Sequence, residues 1–345
     1  MAAVLNAPII LLCSERSGSN LVTRMFDAHP EVAAPGTSHL FKVFARIGWA
    51  YPGDAARLRS DVVAMFRAKV SRWAIDELSD AELDALIAEA PGAAQAVAAL
   101  MDAERAVTGK PYLFIKENHV YDFLPFLEGV AEAPRYLHLV RDPRDMAASW
   151  KKAAVMRGGV VRSARRWAHD QAHMLRTLDW FAGIRPAVSL TYEELVSDGE
   201  GTLRRACAAL GLEFTDTMLS FHSRSRSAQD DAARAAAWSN LDKPLMSGNF
   251  DKFKAELSDD EIAYVEGLCG PLMARLGYAS ARPGLAPFGS YPTFEALETA
   301  LVAVEPMEKP QYADLPAEER ARFEHWSALH ASLAARPGVP LLRAE

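Results

Sequence analysis

Cysteine is scarce in this chain: three in 345 residues, Cys13, Cys207 and Cys269. Their odd number and wide spacing argue against a disulfide framework and against a CxxC metal site. Cys13 falls in an apolar run and is expected as a buried thiol, in keeping with a reducing cytoplasm. Long hydrophobic runs are also missing. No stretch reaches the ~18 apolar residues of a membrane span. The apolar run near the N-terminus lacks a basic flank and is cut short by Glu15 and Arg16, so no signal peptide is expected. Positive charge is in deficit, with Lys and Arg at 38 against Asp and Glu at 45, a formal net charge of −7. A broad basic face for nucleic acid is therefore not expected, and the few clustered basic residues point to one small anionic ligand. The histidines are scattered, and no metal site is expected.

What is present is alternation. Four β-rich runs, Pro8–Cys13, Tyr112–Ile115, Tyr136–Val140 and Ala187–Thr191, are separated by helical patterns. This predicts an α/β fold, a parallel sheet with helices on both faces. Between the first two runs, about residues 54–108, Val62, Met65, Phe66, Val70 and Trp73 recur at helical spacing. We read a helical insertion covering the C-terminal edge of the sheet, broken at Pro91-Gly92, with Ser79 and Glu82 as a capping box. Asp142-Pro143 opens a helix to about Met156, and further helices are expected at about Val161–Phe181, Thr202–Leu210 and Ser258–Leu276. Beyond Tyr278 only two amphipathic helices remain, about Phe294–Val304 and Pro316–Ala334. The domain expectation is thus 1–279, followed by a helical extension over 280–345.

Two places carry phosphate-binding chemistry. The first is the polar loop Ser14-Glu-Arg-Ser-Gly-Ser-Asn20 between the first strand and a helix expected from Leu21. A strand, a Gly-containing loop and a helix start form an anion cradle of inward backbone N–H groups and positive helix dipole. Arg16 adds a charge, and Ser17 and Ser19 add hydroxyls. The loop lacks the GxxxxGK[ST] pattern of nucleotide-triphosphate sites. Taken alone, it also reads as an ordinary turn with a surface Arg. The second place is the strand-to-helix junction at Arg141, with Ser149 eight positions on. Arg can grip a phosphate with two charge-assisted hydrogen bonds; the plainer alternative pairs Arg141 with Asp142 or Asp145.

Together these segments resemble the sulfotransferases that use 3′-phosphoadenosine-5′-phosphosulfate (PAPS). In that family a Lys or Arg, then Ser-Gly, then two small hydroxyl residues hold the 5′-phosphosulfate. Here the series is Arg16-Ser17-Gly18-Ser19-Asn20, with Asn in the last place. The family's 3′-phosphate site is an Arg with a Ser eight positions later, as in Arg141 and Ser149. Tyr192, in Thr191-Tyr192-Glu193-Glu194-Leu195, matches a tyrosine that reaches the nucleotide. Lys243-Pro244 with Lys252-Phe253 is similar to the protein-tyrosine sulfotransferase branch, where the second Lys contacts the nucleotide. A strand-end tyrosine and a solvated lysine are the plainer readings of the last two. The resemblance covers about residues 7–279 and implies a P-loop-like fold, PAPS as donor and PAP as product.

Sulfuryl transfer needs a base for the acceptor hydroxyl and cations for the leaving oxygen. Cytosolic family members place a Lys and a catalytic His two residues apart at a strand end. Lys116 and His119 are three apart, so the match needs a local shift. We assign His119 as base and Lys116, with Arg16, as stabilisers of the leaving group; a structural histidine is the alternative. Other branches use a Glu shortly after the first helix, where this chain has Pro35-Gly-Thr-Ser-His39. His39 is the second candidate base and Glu15 the third. The acceptor implied is a hydroxyl on a small or carrier-held molecule, with Phe41, Phe44, Trp49, Tyr51 and Trp73 as pocket or core. The rivals are a P-loop small-molecule kinase, which would need a loop Lys and a Mg²⁺ carboxylate, and a non-catalytic nucleotide-binding protein.

Overall fold

The computed structural model describes residues 4–153, 155–225, 228, 232, 238, 240–305, 307, 312 and 315–335. Its strands are β1 (Leu5–Asn6), β2 (Ile9–Cys13), β3 (Val32–Ala33), β4 (Tyr112–Lys116), β5 (Ala131–Glu132), β6 (Arg135–Val140) and β7 (Ala187–Thr191). The main sheet has the order β3-β4-β2-β6-β7, with every pair parallel, and β1 pairs with β5 apart from it. The four strands expected from sequence are therefore present. β1, β3 and β5 were not expected, because two residues leave no periodicity to detect.

Strand β2 is buried at all five positions, as a strand covered on both faces must be. Its side chains alternate. Ile9, Leu11 and Cys13 pack with Val22, Met25 and Phe26 of the helix Ser19–Asp27 and with Leu203 of Gly199–Ala209. Ile10 and Leu12 point the other way, into a cluster with Phe66 of the helix Ala55–Ala68 and Leu100 of Ala93–Thr108. The helical insertion thus covers a face of the sheet and not its C-terminal edge, because those apolar side chains would otherwise meet water. Phe41, Phe44 and Trp73 belong to the same cluster, which makes them core. Tyr51 is turned to Asp61 at 2.9 Å, and Trp49 is exposed.

The expected capping boxes at Ser79–Glu82 and Ser258–Glu261 are both formed. The helix from Pro143 stops at Lys152, short of Met156, and Trp150 donates its indole N–H to the Arg157 carbonyl at 2.8 Å. The next helix, Gly159–Phe181, starts two residues before the expected Val161 and ends where expected. In the extension, Phe294–Val304 packs on Gly159–Phe181 and Asp259–Arg275. Ala317–Ala334 packs on Ala55–Ala68 and on Leu40–Ile47, with Leu333 buried in the core. The expected extension beyond Ala335 lies outside the described residues. Among the described residues no helix is long and apolar enough to cross a membrane.

From β2 the chain moves to β3 and β4 on one side, then to β6 and β7 on the other. This reversal makes β2 a switch point, and parallel sheets of this kind take ligands at the carboxyl ends of the strands there.

Candidate active site

The loop after β2 enters its helix through two left-handed residues, Arg16 at φ 64° and Gly18 at φ 93°. For Arg16 that conformation costs on the order of 1 kcal/mol, a strain typical of functional loops. Gly18 has a second reason to be Gly. A Cβ there would stand 2.4 Å from Cδ2 of Tyr192, so the Tyr192 ring fills the space. The helix then begins at Ser19 with no side chain capping its free N–H groups. Ser17 is buried, and its hydroxyl donates to the Ser14 carbonyl at 2.7 Å. The Ser17 hydroxyl, expected as a donor to a ligand, here uses its proton to close the turn.

Arg16, Gly18, Ser19, Asn20, Arg141, Ser149 and Tyr192 line one cleft. Arg16 Nε donates to Ser149 Oγ at 3.1 Å, and Arg141 Nη1 donates to the Arg16 carbonyl at 3.2 Å. The Arg141 guanidinium lies over the Tyr192 ring at 4.4 Å. Its Nε is buried without a partner. Neither guanidinium pairs with a carboxylate among the described residues. The local acids expected as partners are taken elsewhere: Arg144 holds Asp142, while Asp145 accepts from the backbone N–H groups of Asp251 and Phe253 at 2.7 and 3.0 Å. Burial, followed by the charge of Arg141, pushes Arg16 below the ordinary arginine range. Two like charges have been brought together and partly desolvated.

Residues that sequence reasoning passed over hold this arrangement. Trp167 donates its indole N–H to the Arg141 carbonyl at 2.9 Å. Glu193 accepts from Asp142 N at 3.0 Å and from the Tyr278 hydroxyl at 2.8 Å, which ties the ends of β6 and β7 together. Asn249 donates to the Tyr192 hydroxyl at 2.6 Å and lines the cleft. It sits inside the Lys243–Lys252 segment, where the signal read was charge. Lys252 itself is exposed, directly precedes the helix Phe253–Glu256 without a side-chain capping bond, and does not line the cleft.

The remaining candidates stand beyond the carboxyl end of β4. Lys116 donates to Asn118 Oδ1 at 3.0 Å, and Asn118 Nδ2 donates to Glu15 Oε1 at 3.0 Å. Glu15 is thus an anchor of the loop through Asn118, while Arg24 pairs with Asp27. His119 is buried, with Nδ1 3.2 Å from Lys42 Nζ and Nε2 without a partner. Burial, then the charges of Lys42, Arg166, His39 and Arg46, holds its imidazole far below the usual histidine range. His39 keeps 29% of its side chain exposed, and its Nδ1 lies 3.6 Å from Oε2 of the fully buried Glu117. None of Lys116, His119 and His39 lines the Arg16–Arg141 cleft. One histidine pair does have metal-ligand spacing, contrary to expectation: His169 and His173, one helical turn apart with ring centroids 4.4 Å apart. Among the described residues no third His, Cys, Asp or Glu joins them.

Solved structures share this architecture. The sulfotransferase domain from the Synechococcus PCC 7002 olefin synthase is similar at 19% identity and a TM-score of 0.56, over 75% of this chain and 90% of that one. The sulfotransferase domain from the curacin biosynthetic pathway is similar at 17% identity and a TM-score of 0.52, over 80% of this chain and 99% of that one. At these identities the likeness shows the fold. No curated protein matches the chain significantly. The sequence profile described as the Sulfotransferase family matches residues 8–216, more than half of the length, and the chain belongs to that family.

Proposed function

We propose that this sulfotransferase takes PAPS as donor and transfers its sulfuryl group to a hydroxyl of a small or carrier-held acceptor. The observation that carries the reading is the pair Arg16 and Arg141, converging on one cleft with no carboxylate between them. A buried cation without an anion is costly. The unpartnered Nε of Arg141, the uncapped helix start at Ser19 and the left-handed loop all fit an anionic ligand.

Arg16, the backbone N–H groups at Gly18, Ser19 and Asn20, and the helix start would hold the 5′-phosphosulfate. Arg141 and Ser149 would hold the 3′-phosphate. Tyr192 supports both from behind, by packing under Arg141 and against Gly18. When bound, PAPS supplies an activated sulfuryl group that moves in line to the acceptor oxygen, leaving PAP. Arg16 on the loop and Lys116, tied to it through Asn118, would balance charge that builds on the leaving oxygen. Lys116 is held for this by Asn118 and Glu15. Lys252, exposed and outside the cleft, has no part in this reading.

Thermal shift with PAP, ATP and NADH tests the assignment. PAP at about 100 times its dissociation constant is expected to stabilise the protein by about 2.7 kcal/mol. Stabilisation by ATP with Mg²⁺ and none by PAP would favour a kinase instead.

A further inference from the structure

We infer that His39, oriented by Glu117, is the general base of this enzyme and that His119 is not. The inference rests on the sulfuryl-transfer reading above, and it follows from how each imidazole is held.

The two residues come from neighbouring parallel strands. His39 follows β3 and immediately precedes the helix Leu40–Ile47; Glu117 follows β4 directly. Both therefore emerge at the carboxyl end of the sheet. Asn118, next to Glu117, is bonded to Glu15 of the loop, so this corner adjoins the loop that carries Arg16.

Glu117 is 0% exposed. Its Oε1 accepts from Ser38 Oγ at 2.9 Å, and its Oε2 has no hydrogen-bond partner except the approach of His39 Nδ1 at 3.6 Å. Nδ1 of His39 is likewise buried and otherwise unpartnered. A buried carboxylate facing Nδ1 favours the tautomer with the proton on Nδ1. The lone pair then lies on Nε2, and with Nδ1 buried the side chain still keeps 29% of its surface exposed. The same logic orients the histidine of hydrolase triads, where a carboxylate stabilises the imidazolium that forms. Trp326 of the C-terminal helix stands edge-on to His39 at 5.5 Å between ring centroids and limits the ring's rotation.

His119 is held the opposite way. A protonated Lys42 donates to Nδ1, which places the imidazole proton on Nε2 and removes the lone pair a base needs. A neutral Lys42 leaves a buried histidine that binds a proton weakly. Among the described residues His119 makes no ion pair with a carboxylate, and the charges that act on it are cationic.

In the proposed step the acceptor O–H bond breaks toward Nε2 of His39, and the oxygen electron pair forms the new O–S bond. The electron pair of the broken S–O bond leaves on the phosphate oxygen of PAP. Glu117 balances the imidazolium until its proton passes to water.

The test uses the full chain with PAPS and water as acceptor, together with PAP titration and NMR of ¹⁵N-labelled histidine. In the wild type, His39 is expected with its proton on Nδ1, and Glu117→Gln should shift the ring toward the other tautomer. His39→Ala should lower PAPS hydrolysis by about 10²–10⁴-fold with PAP affinity unchanged. Glu117→Gln should lower kcat and leave KM. The cations Lys42 and Arg46 and the histidines His119 and His330 around this corner remain in place in that variant. His119→Gln should keep most of the rate. A proton on Nε2 of His39 in the wild type overturns the inference, as does a His39→Ala variant at full rate or a collapse confined to His119→Gln. Failure of the wild type to bind PAP at all would instead bring down the donor assignment beneath it.

Discussion

Replacing Arg141 by Ala removes one of two adjacent guanidinium groups that have no carboxylate between them. In the free protein the Arg141 side chain makes, among the described residues, one hydrogen bond to a neutral carbonyl, at 3.2 Å, and one stacking contact with Tyr192, at 4.4 Å. The first is worth about 1 kcal/mol and the second about 1 kcal/mol. Relief of repulsion with Arg16 works against both. The free variant is therefore expected to lose little stability, at most about 2 kcal/mol. The liganded protein should behave differently. A charge-assisted contact to a phosphate, made in a desolvated site, contributes about 2–4 kcal/mol. PAP affinity, measured by isothermal titration, is then expected to fall by roughly 30- to 900-fold. Adenosine 5′-phosphosulfate lacks the 3′-phosphate and should lose far less. The slope of log affinity against log salt should also flatten for PAP, because one cation has gone. Equal losses for the two ligands would refute the assignment of Arg141 to the 3′-phosphate. A large loss of stability in the free variant would refute the argument that the arginine pair is held for a ligand.

Three further outcomes are expected. Gly18→Ala puts a Cβ 2.4 Å from the Tyr192 ring at φ 93°, so PAP binding should collapse and the melting temperature fall; unchanged binding would remove Tyr192 from its place behind the loop. His138 is fully buried between Gln171 and Ser189, and burial holds it down at about 4. Its folded value lies below the unfolded value of about 6.5, so its contribution is intact above that pH and is lost as pH falls toward 4, on the order of 3 kcal/mol. Asp170, raised to about 7 by burial, works in the opposite sense, so urea melts from pH 4 to 7 should compare the wild type with His138→Gln, whose stability should fall less steeply on acidification. Sulfuryl transfer is expected to survive EDTA; loss restored by Mg²⁺ would point to phosphoryl chemistry.

The four longer strands and the loop that follows the first of them were legible because a continuous apolar run bounded by polar turns has few other solutions. The convergence of Arg16, Arg141, Ser149 and Tyr192 could be read only through family resemblance, since more than a hundred residues separate Arg16 from the others and no local pattern encodes their meeting. Hydrogen-bond partners were the least legible. Nothing local says that Arg144 would take Asp142 and leave Arg141 without a local acid. The same holds for the histidines. His119 was read as a base because it follows a strand beside Lys116, whereas the contacts from which His39 is proposed instead, with Lys42 and Glu117, are not local. Those contacts join residues 77 and 78 positions apart, His119 to Lys42 and His39 to Glu117. Asn249 was within a segment already singled out, yet a neutral amide gives no signal next to two lysines.

The reversal of strand order at β2 divides the labour of the molecule. Everything proposed to grip the nucleotide, apart from the loop itself, comes from β6, β7 and the helices after them. Everything proposed to handle the acceptor proton comes from β3, β4 and the segment between them. The loop above β2 is the shared border across which the sulfuryl group would travel. The two sides meet through the hydrogen bond from Asn118 to Glu15, so substitutions away from that contact should leave the other side undisturbed. Substrate range in such a protein should drift through the stretch from Ala34 to Tyr121 and through the C-terminal helix that meets it. Chimeras exchanged at β2 and at the start of β6 are the natural units for retargeting it.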